Sequence, residues 1–303
     1  MAVRVQVPAS TANLGPAFDC AAIALNLYLR VSVEPKPTAG FAVRYRGADS
    51  SRVSTGDSNL IVQAMQKFAA GEKGAIPGAR IEIDNDIPIG VGLGSSAAAI
   101  VAGLLAGAGL SSVVPDRGKL LRLAVALERH PDNVTAALHG GFVVAAAVPA
   151  NASGQEEILF HRSVVSDSLN FVAVTPDVPL PTDKARSVLP DRYSREDTVR
   201  NLQRTALLTA AFASHRGLVP ELFRDRLHQP YRAPLVPGIT ECLELRHDDL
   251  VGVFLSGAGS SVMAIATQNA ESIGEELVDR FRRKGVTARA MRLKADNRGA
   301  QYL

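Results

Sequence analysis

Cysteine is nearly missing from this chain: Cys20 and Cys242 are the only two in 303 residues. They lie far apart in apolar or mixed surroundings, which excludes a metal-ligand spacing and a disulfide framework and makes a reducing cytoplasm the expected compartment. No apolar run approaches the about 20 residues that a bilayer-spanning helix needs. The N-terminus, MAVRVQVPAS, alternates apolar and polar like a strand and lacks the charged-then-apolar build of a signal peptide. Blocks of like charge, long Gly/Ser/Pro stretches and fixed-period repeats are also missing, so disorder and solenoid architectures are excluded. Lys and Arg exceed Asp and Glu by only 33 to 30. They are scattered and seldom stand beside aromatics, unlike a nucleic-acid surface. The expectation is an ordered, soluble protein with no nucleic-acid or membrane partner, whose mild basic balance suits an anionic small substrate.

What is present is a chain 47% hydrophobic, long enough for a large buried core and longer than one typical domain. VRVQV, LNLYLRVSVEP, FAVRYRG and RIEIDND have strand character, so the first third is β-rich. Ser95 to about Gly109 is apolar all round, which means a buried helix. Helices are also expected from Arg117 to about Glu128 and after Asp132, before GGFVVAAAV returns to strand. PANASGQ, around Pro149 to Gln155, reads as a linker, and the boundary is set at 152/153. Beyond it come a strand at NFVAVTP, helices at Asp197 to His215 and at AESIGEELVDRFRRKG, and a strand, glycine turn and strand in LVGVFLSGAGSSVMAIAT. The class is α+β with two domains, residues 1–152 and 153–303.

Residues 87–100, IPIGVGLGSSAAAI, join a strand to the buried helix. Gly92 and Gly94 remove Cβ atoms where the backbone must approach something closely or turn through positive φ. Successive amides at the helix N-terminus form an anion site, and Ser95 and Ser96 can cap the helix or add hydroxyl ligands for phosphate or Mg²⁺. The loop is neither a Walker A loop nor a dinucleotide fingerprint. Two readings stand level on these residues alone: a polyphosphate cradle, and a tight turn into a buried helix.

Two further clusters, PASTANLGPAFD at Pro8 to Asp19 and LSGAGSSV at Leu255 to Val262, each follow a strand-like run. Together with the glycine loop they resemble the three ordered motifs of the GHMP kinase family. ERHPDNVTAALHGGF and DRLHQPYRAPLVPG extend the resemblance over nearly the whole chain, towards the branch that phosphorylates L-homoserine. The resemblance implies an N-terminal domain like ribosomal protein S5 domain 2, a C-terminal ferredoxin-like domain, an active site between them, and a homodimer at the level of the family.

It also implies roles. ATP phosphates would lie on Pro88, Ile89, Gly90, Val91, Gly92, Leu93, Gly94, Ser95, Ser96, Ala97 and Ala98, with Ser96 and Glu128 holding Mg²⁺. Asn13, Asp19, His130, Asn133, Thr182, Arg186, Arg232, Gly257 and Gly259 would surround the amino acid. Asp19 would meet its ammonium, Arg186 and Arg232 its carboxylate, and Asn133 the hydroxyl to be phosphorylated. Planar guanidinium forks suit a carboxylate. Read without the resemblance, Asn13 and Asp19 are turn residues, Asp132 caps the following helix, Glu128 is a solvated helix-end residue and Gly257 and Gly259 form a hairpin turn. The chain departs from the family pattern at Ala17, at Cys20, Ala21 and Ala22, at Arg129 where Gly is usual, and at Ser260 and Ser261. The implied reaction passes the γ-phosphoryl of ATP to the homoserine hydroxyl, on a route to threonine, with Asp19 the only candidate base. Competing readings are a sugar or mevalonate kinase of the same family, a non-catalytic metabolite sensor, and a nucleic-acid binder suggested by the S5-like fold alone.

Overall fold

A computed structural model of the chain describes residues 2–72, 76–111, 113–114, 116–149 and 157–303. The first sheet is built from β1 (Val3–Asn13), β2 (Ala17–Pro35), β3 (Gly40–Gly47), β4 (Gly78–Asn85), β5 (Phe142–Val148) and β6 (Glu157–Ser163). Among the described residues it is seven-stranded, β11 (Gln301–Tyr302) completing it, in the order β11-β1-β2-β4-β3, with β5 on β2 and β6 on β5. The seventh strand, β11, brings the C-terminus back to the first strand, Val5 opposite Tyr302. Alternation decides which face is buried. In β4 the residues Ile81 and Ile83 point inward while Arg80, Glu82 and Asp84 point to solvent.

Helices α1 (Leu60–Gly71) and α3 (Arg117–Glu128) pack on α2 (Ser95–Leu110) and α4 (Pro131–His139), and α2 and α4 cover the inner face. α2 is buried on every side, as its all-round apolar composition requires. Patterning assigned no helix to Leu60–Gly71, although Asn59 caps it by accepting from the Ile61 amide at 3.0 Å and Ile61, Val62, Met65 and Phe68 form its buried stripe.

The second sheet holds β7 (Asn170–Pro176), β8 (Leu250–Leu255), β9 (Val262–Ala266) and β10 (Ala288–Leu293) in the antiparallel order β10-β7-β9-β8. With α9 (Ala270–Arg283) between β9 and β10, and α5 (Thr182–Ser187), α6 (Arg195–Ser214), α7 (Gln229–Arg232) and α8 (Ile239–Leu243) between β7 and β8, this is a βαββαβ unit of ferredoxin-like order. The α+β class expected from sequence is the observed one. The boundary at 152/153 lies outside the described residues, and β6, on its C-terminal side, pairs with β5 in the first sheet, Phe142 opposite Ser163. Among the described residues no helix is long and apolar enough to cross a membrane.

Candidate active site

The three glycine-bearing motifs meet at one place, and hydrogen bonds tie them together. Thr11 in the first motif donates to Ser256 Oγ at 2.8 Å, because the Ser256 hydroxyl spends its own proton on the Gly92 carbonyl at 2.6 Å. The Gly257 amide donates to the Ala12 carbonyl, and the Ser261 amide to the Val91 carbonyl. Gly92 and Gly94 both have positive φ, +87° and +69°. A Cβ on Gly92 would stand 2.0 Å from the Ser256 carbonyl, and one on Gly94 2.0 Å from Ser10 Oγ. The glycines are therefore required by the other two motifs as well as by the turn itself.

The side chains of Val91, Leu93, Ala97 and Ala98 are buried in the core, so at these positions the loop can offer a ligand only backbone. Gly94, not a serine, stands before the first residue of α2, and neither serine caps it. Ser96 instead donates to Glu128 Oε2 at 2.7 Å, joining the start of α2 to the end of α3. Burial pushes the Glu128 carboxyl up, and the Ser96 bond opposes the shift. Arg129, where the family pattern has Gly, closes α3 in the left-handed region at φ 73°. This is the conformation for which a glycine would be the unstrained choice.

Across the cleft, Asn13, Asp19, His130, Asn133, Thr182, Arg186, Arg232, Gly257 and Gly259 line the same cavity as Gly90, Gly92, Gly94, Ser95, Ser96 and Glu128; its volume is ≈ 130 Å³. Pro88, Ile89, Val91, Leu93, Ala97 and Ala98 are not among its lining residues. Asn13 uses both ends of its amide: the oxygen accepts from the Asp19 amide at 2.9 Å and the nitrogen donates to the Gly257 carbonyl at 2.7 Å. Asn133 Oδ1 accepts from Ser10 Oγ at 2.7 Å and its amide nitrogen donates to Asp132 Oδ1 at 3.3 Å, which orients the side chain.

Three arrangements differ from the sequence reading. Asp132 does not cap α4, because His130 occupies that position and Asp132 Oδ1 accepts from the adjacent Asn133 amide at 2.7 Å. Its carboxyl is buried, and burial first, then the charges of Asp19 and Glu128, push it up to about 7. Arg186 and Asp19, expected at opposite ends of an amino acid, are bonded to each other at 2.8 and 3.0 Å. Glu128 is not a solvated helix end, since it faces Ser96 in the cleft.

Arg232 is 1% exposed, and burial, then the charge of Arg186, pull its guanidinium down to about 10. Burial also lowers His130, which lies beside Asp19 and both arginines. Sequence reasoning missed Asp132 and Ser10, and it missed a second cavity of ≈ 370 Å³ that shares Gly90, Ser95 and Ser96 with the first. Tyr45, Val53, Asn59, Leu60 and Ile89 contribute to this second cavity. Of its lining, Ile89, Gly90, Ser95 and Ser96 belong to the loop expected to hold ATP, whereas the residues from Tyr45 to Ile61 carried no motif.

Among the described residues no group of three or more His, Cys, Asp or Glu side chains could hold a metal ion. The Ser96 hydroxyl and Glu128 carboxylate nevertheless form a pair of hard oxygens beside the glycine loop. That donor set fits Mg²⁺, which takes one or two protein oxygens and completes its shell with phosphate oxygens and water.

A glycine loop at a helix N-terminus, two hard oxygens and a small polar cavity are the parts that phosphoryl transfer calls for. Comparison with known proteins agrees. The family model for the GHMP kinases N terminal domain matches residues 59–141, and that for the GHMP kinases C terminal matches residues 201–283. The chain belongs to the GHMP kinase family, and it is an ATP-dependent small-molecule kinase by that membership. Within the family it stands with the homoserine kinases. It is 40% identical to "Homoserine kinase" of Caldanaerobacter subterraneus subsp. tengcongensis, over 99% of this chain and 95% of that one. It is also 40% identical to "Homoserine kinase" of Desulfitobacterium hafniense, over 99% and 100%. A crystal structure of homoserine kinase from Cytophaga hutchinsonii superposes with TM-score 0.86 at 24% identity, covering 100% of this chain and 97% of the other. The mevalonate kinase of Methanococcus jannaschii superposes with TM-score 0.66 at 15% identity, over 97% and 98%, and shares the fold.

Proposed function

We propose that the protein transfers the γ-phosphoryl of ATP to the side-chain hydroxyl of L-homoserine, giving O-phospho-L-homoserine and ADP in the cytoplasm. One observation carries this reading. A single cleft combines the glycine loop and the Ser96–Glu128 pair with an acid, Asp19, and two guanidiniums, Arg186 and Arg232. An α-amino acid offers an ammonium and a carboxylate to such a set, whereas a sugar or mevalonate lacks the ammonium.

The backbone amides of Gly92 to Ser96 hold the phosphates, and the apolar cavity beside Gly90 and Ser95 takes the nucleoside. Ser96 and Glu128 would hold Mg²⁺, and the ion would supply charge neutralisation at the phosphates. Asn133 orients the acceptor hydroxyl, its own amide held by Ser10 and Asp132. The homoserine ammonium and carboxylate separate Asp19 from Arg186, each charge taking a substrate partner. Loose phosphoryl transfer needs positioning and charge stabilisation more than a strong base. Asp19, paired with the substrate ammonium, acts chiefly as a binding group.

The test is ADP release with Mg-ATP and L-homoserine, L-serine, L-threonine, mevalonate or galactose, each against a control without acceptor. Homoserine-dependent ADP release with O-phosphohomoserine identified by mass spectrometry is expected. Turnover of another alcohol but not homoserine would discard the substrate. ATP binding without any turnover would make the protein a sensor.

A further inference from the structure

The segment DRLHQPYR carries Arg232, yet most of its polar residues have no part in the chemistry above. The structure accounts for them as a scaffold. Asp225 accepts from the backbone amides of Leu227, His228 and Gln229 at 2.9, 2.8 and 2.6 Å, fixing the start of α7. Gln229 Oε1 accepts from the Leu255 amide at 2.6 Å, anchoring that turn to the strand that leads into the third motif.

His228 is fully buried between these parts. Its Nε2 lies 2.8 Å from the Gly15 carbonyl in the first motif, and its Nδ1 lies 3.3 Å from Arg232 Nη1. A carbonyl can only accept and a guanidinium can only donate. The ring therefore carries its proton on Nε2 and presents a lone pair at Nδ1. An imidazolium would face Arg232 with a second donor and lose that bond. Burial lowers the His228 pKa, in keeping with a neutral ring. Phe18, next to Asp19, stacks on the His228 ring with centroids 5.1 Å apart. The Phe18 ring also lies 5.0 Å from the Arg232 and 5.6 Å from the Arg186 guanidinium carbons.

Arg232 spends Nε on the Ala185 carbonyl at 2.9 Å and Nη1 on His228 and the Gly257 carbonyl, both at 3.3 Å. Nη2 has no protein acceptor among the described residues, and Arg232 lines the cleft. We infer that His228, as a neutral Nε2–H tautomer, is the positioning residue that aims Arg232 at the substrate carboxylate and locks it to the first motif through Gly15. This rests on the reading of the cleft as an amino-acid site. No chemical step passes through His228, so its removal weakens acceptor binding and leaves ATP binding alone.

The experiment compares His228→Leu, His228→Asn and His228→Gln in the whole enzyme, with KM for each substrate, kcat and Tm. His228→Leu is expected to raise the homoserine KM by about tenfold, the factor carried by one lost hydrogen bond to a charged group. The ATP KM is expected to change less than about twofold, within the weight of a small peripheral contact. Asn places a carbonyl oxygen where Nδ1 stands and should recover most of that loss, whereas Gln reaches only towards Gly15 and should not. Equal rises in both KM values, or no recovery with Asn, would overturn the proposal. Nitrogen NMR of His228 in the wild-type chain is independent of the substrate and of the variants' folding. A protonated Nε2 and unprotonated Nδ1 at neutral pH are expected, and the opposite tautomer or an imidazolium would overturn it. Absence of homoserine turnover by the wild type would instead overturn the parent reading, with the tautomer result standing on its own.

Discussion

Asp19 accepts two hydrogen bonds from Arg186 Nη2, at 2.8 and 3.0 Å, across the cleft between the two sheets. Both side chains are about a third exposed, 31% and 35%. A pair so placed is screened by water and contributes at most about 1 kcal/mol to stability. In the proposed function the pair holds both charges in the cleft until the ammonium and carboxylate of the substrate replace it.

Asp19→Asn and Arg186→Leu are each expected to raise the homoserine KM by about 10²-fold, since truncating one partner of a charge contact costs about 2–5 kcal/mol. Steady-state kinetics with homoserine and ATP varied separately checks this, and thermal melting should show only a small change. A large fall in Tm with an unchanged KM would make the pair structural.

Ser96→Ala and Glu128→Gln are expected to raise the Mg²⁺ concentration giving half-maximal rate by at least about 10-fold, since even removing a group that only supports a metal ligand costs about 10–100-fold in affinity. A Mg²⁺ titration at fixed ATP measures it. An unshifted titration curve would remove these two residues from the metal site.

Gly94→Ala places a methyl 2.0 Å from Ser10 Oγ on a backbone at φ +69°. The left-handed conformation alone costs about 1–2 kcal/mol, so Tm should fall by several degrees and ATP binding should weaken. Adding Ser10→Ala should restore part of the loss. Gly92→Ala has no such rescue, because its methyl meets the Ser256 carbonyl of the backbone. Calorimetric unfolding of the single and double variants distinguishes the two cases.

The Asp132 carboxyl, raised from 3.8 to about 7, sets a pH dependence of stability. The folded state binds this proton more tightly than the unfolded one. The associated stability is therefore complete below the unfolded pKa and is lost as pH rises through about 7. Asp132→Asn keeps the acceptor for the Asn133 amide and does not titrate. The stability of the wild type relative to Asp132→Asn should thus decline between pH 4 and pH 7, the window from the unfolded to the folded value. Urea unfolding at both pH values reads this difference, and a constant difference would contradict it.

The helix α3 was legible because Arg117–Glu128 has an Asp cap and an apolar stripe within twelve residues. The buried α2 was legible from composition alone, and its start from the glycines before it. β6 was not legible, because EILFHRS is largely exposed and belongs to the first sheet only through its pairing with β5. The return of β11 to β1 was equally silent, since two residues carry no period.

Ser10 and Asp132 stood in quoted motifs, but their partner Asn133 is 123 residues from Ser10, and nothing local announced the bond. His228 was likewise in view, and only its 213-residue link to Gly15 gave it a role.

By itself the sequence determined the helices and strands whose period and caps lie within a few residues, the three glycine motifs, and the residue types available for phosphate, metal and amino-acid binding. Local sterics and hydrogen bonding act over that short range, so they can be read there. The tertiary structure alone decided that Asp19 holds Arg186, that Thr11 reaches Gly92 through Ser256, and that His228 lies between Arg232 and Gly15. Those contacts depend on which buried surfaces meet, and that is fixed by packing two sheets and their helices together.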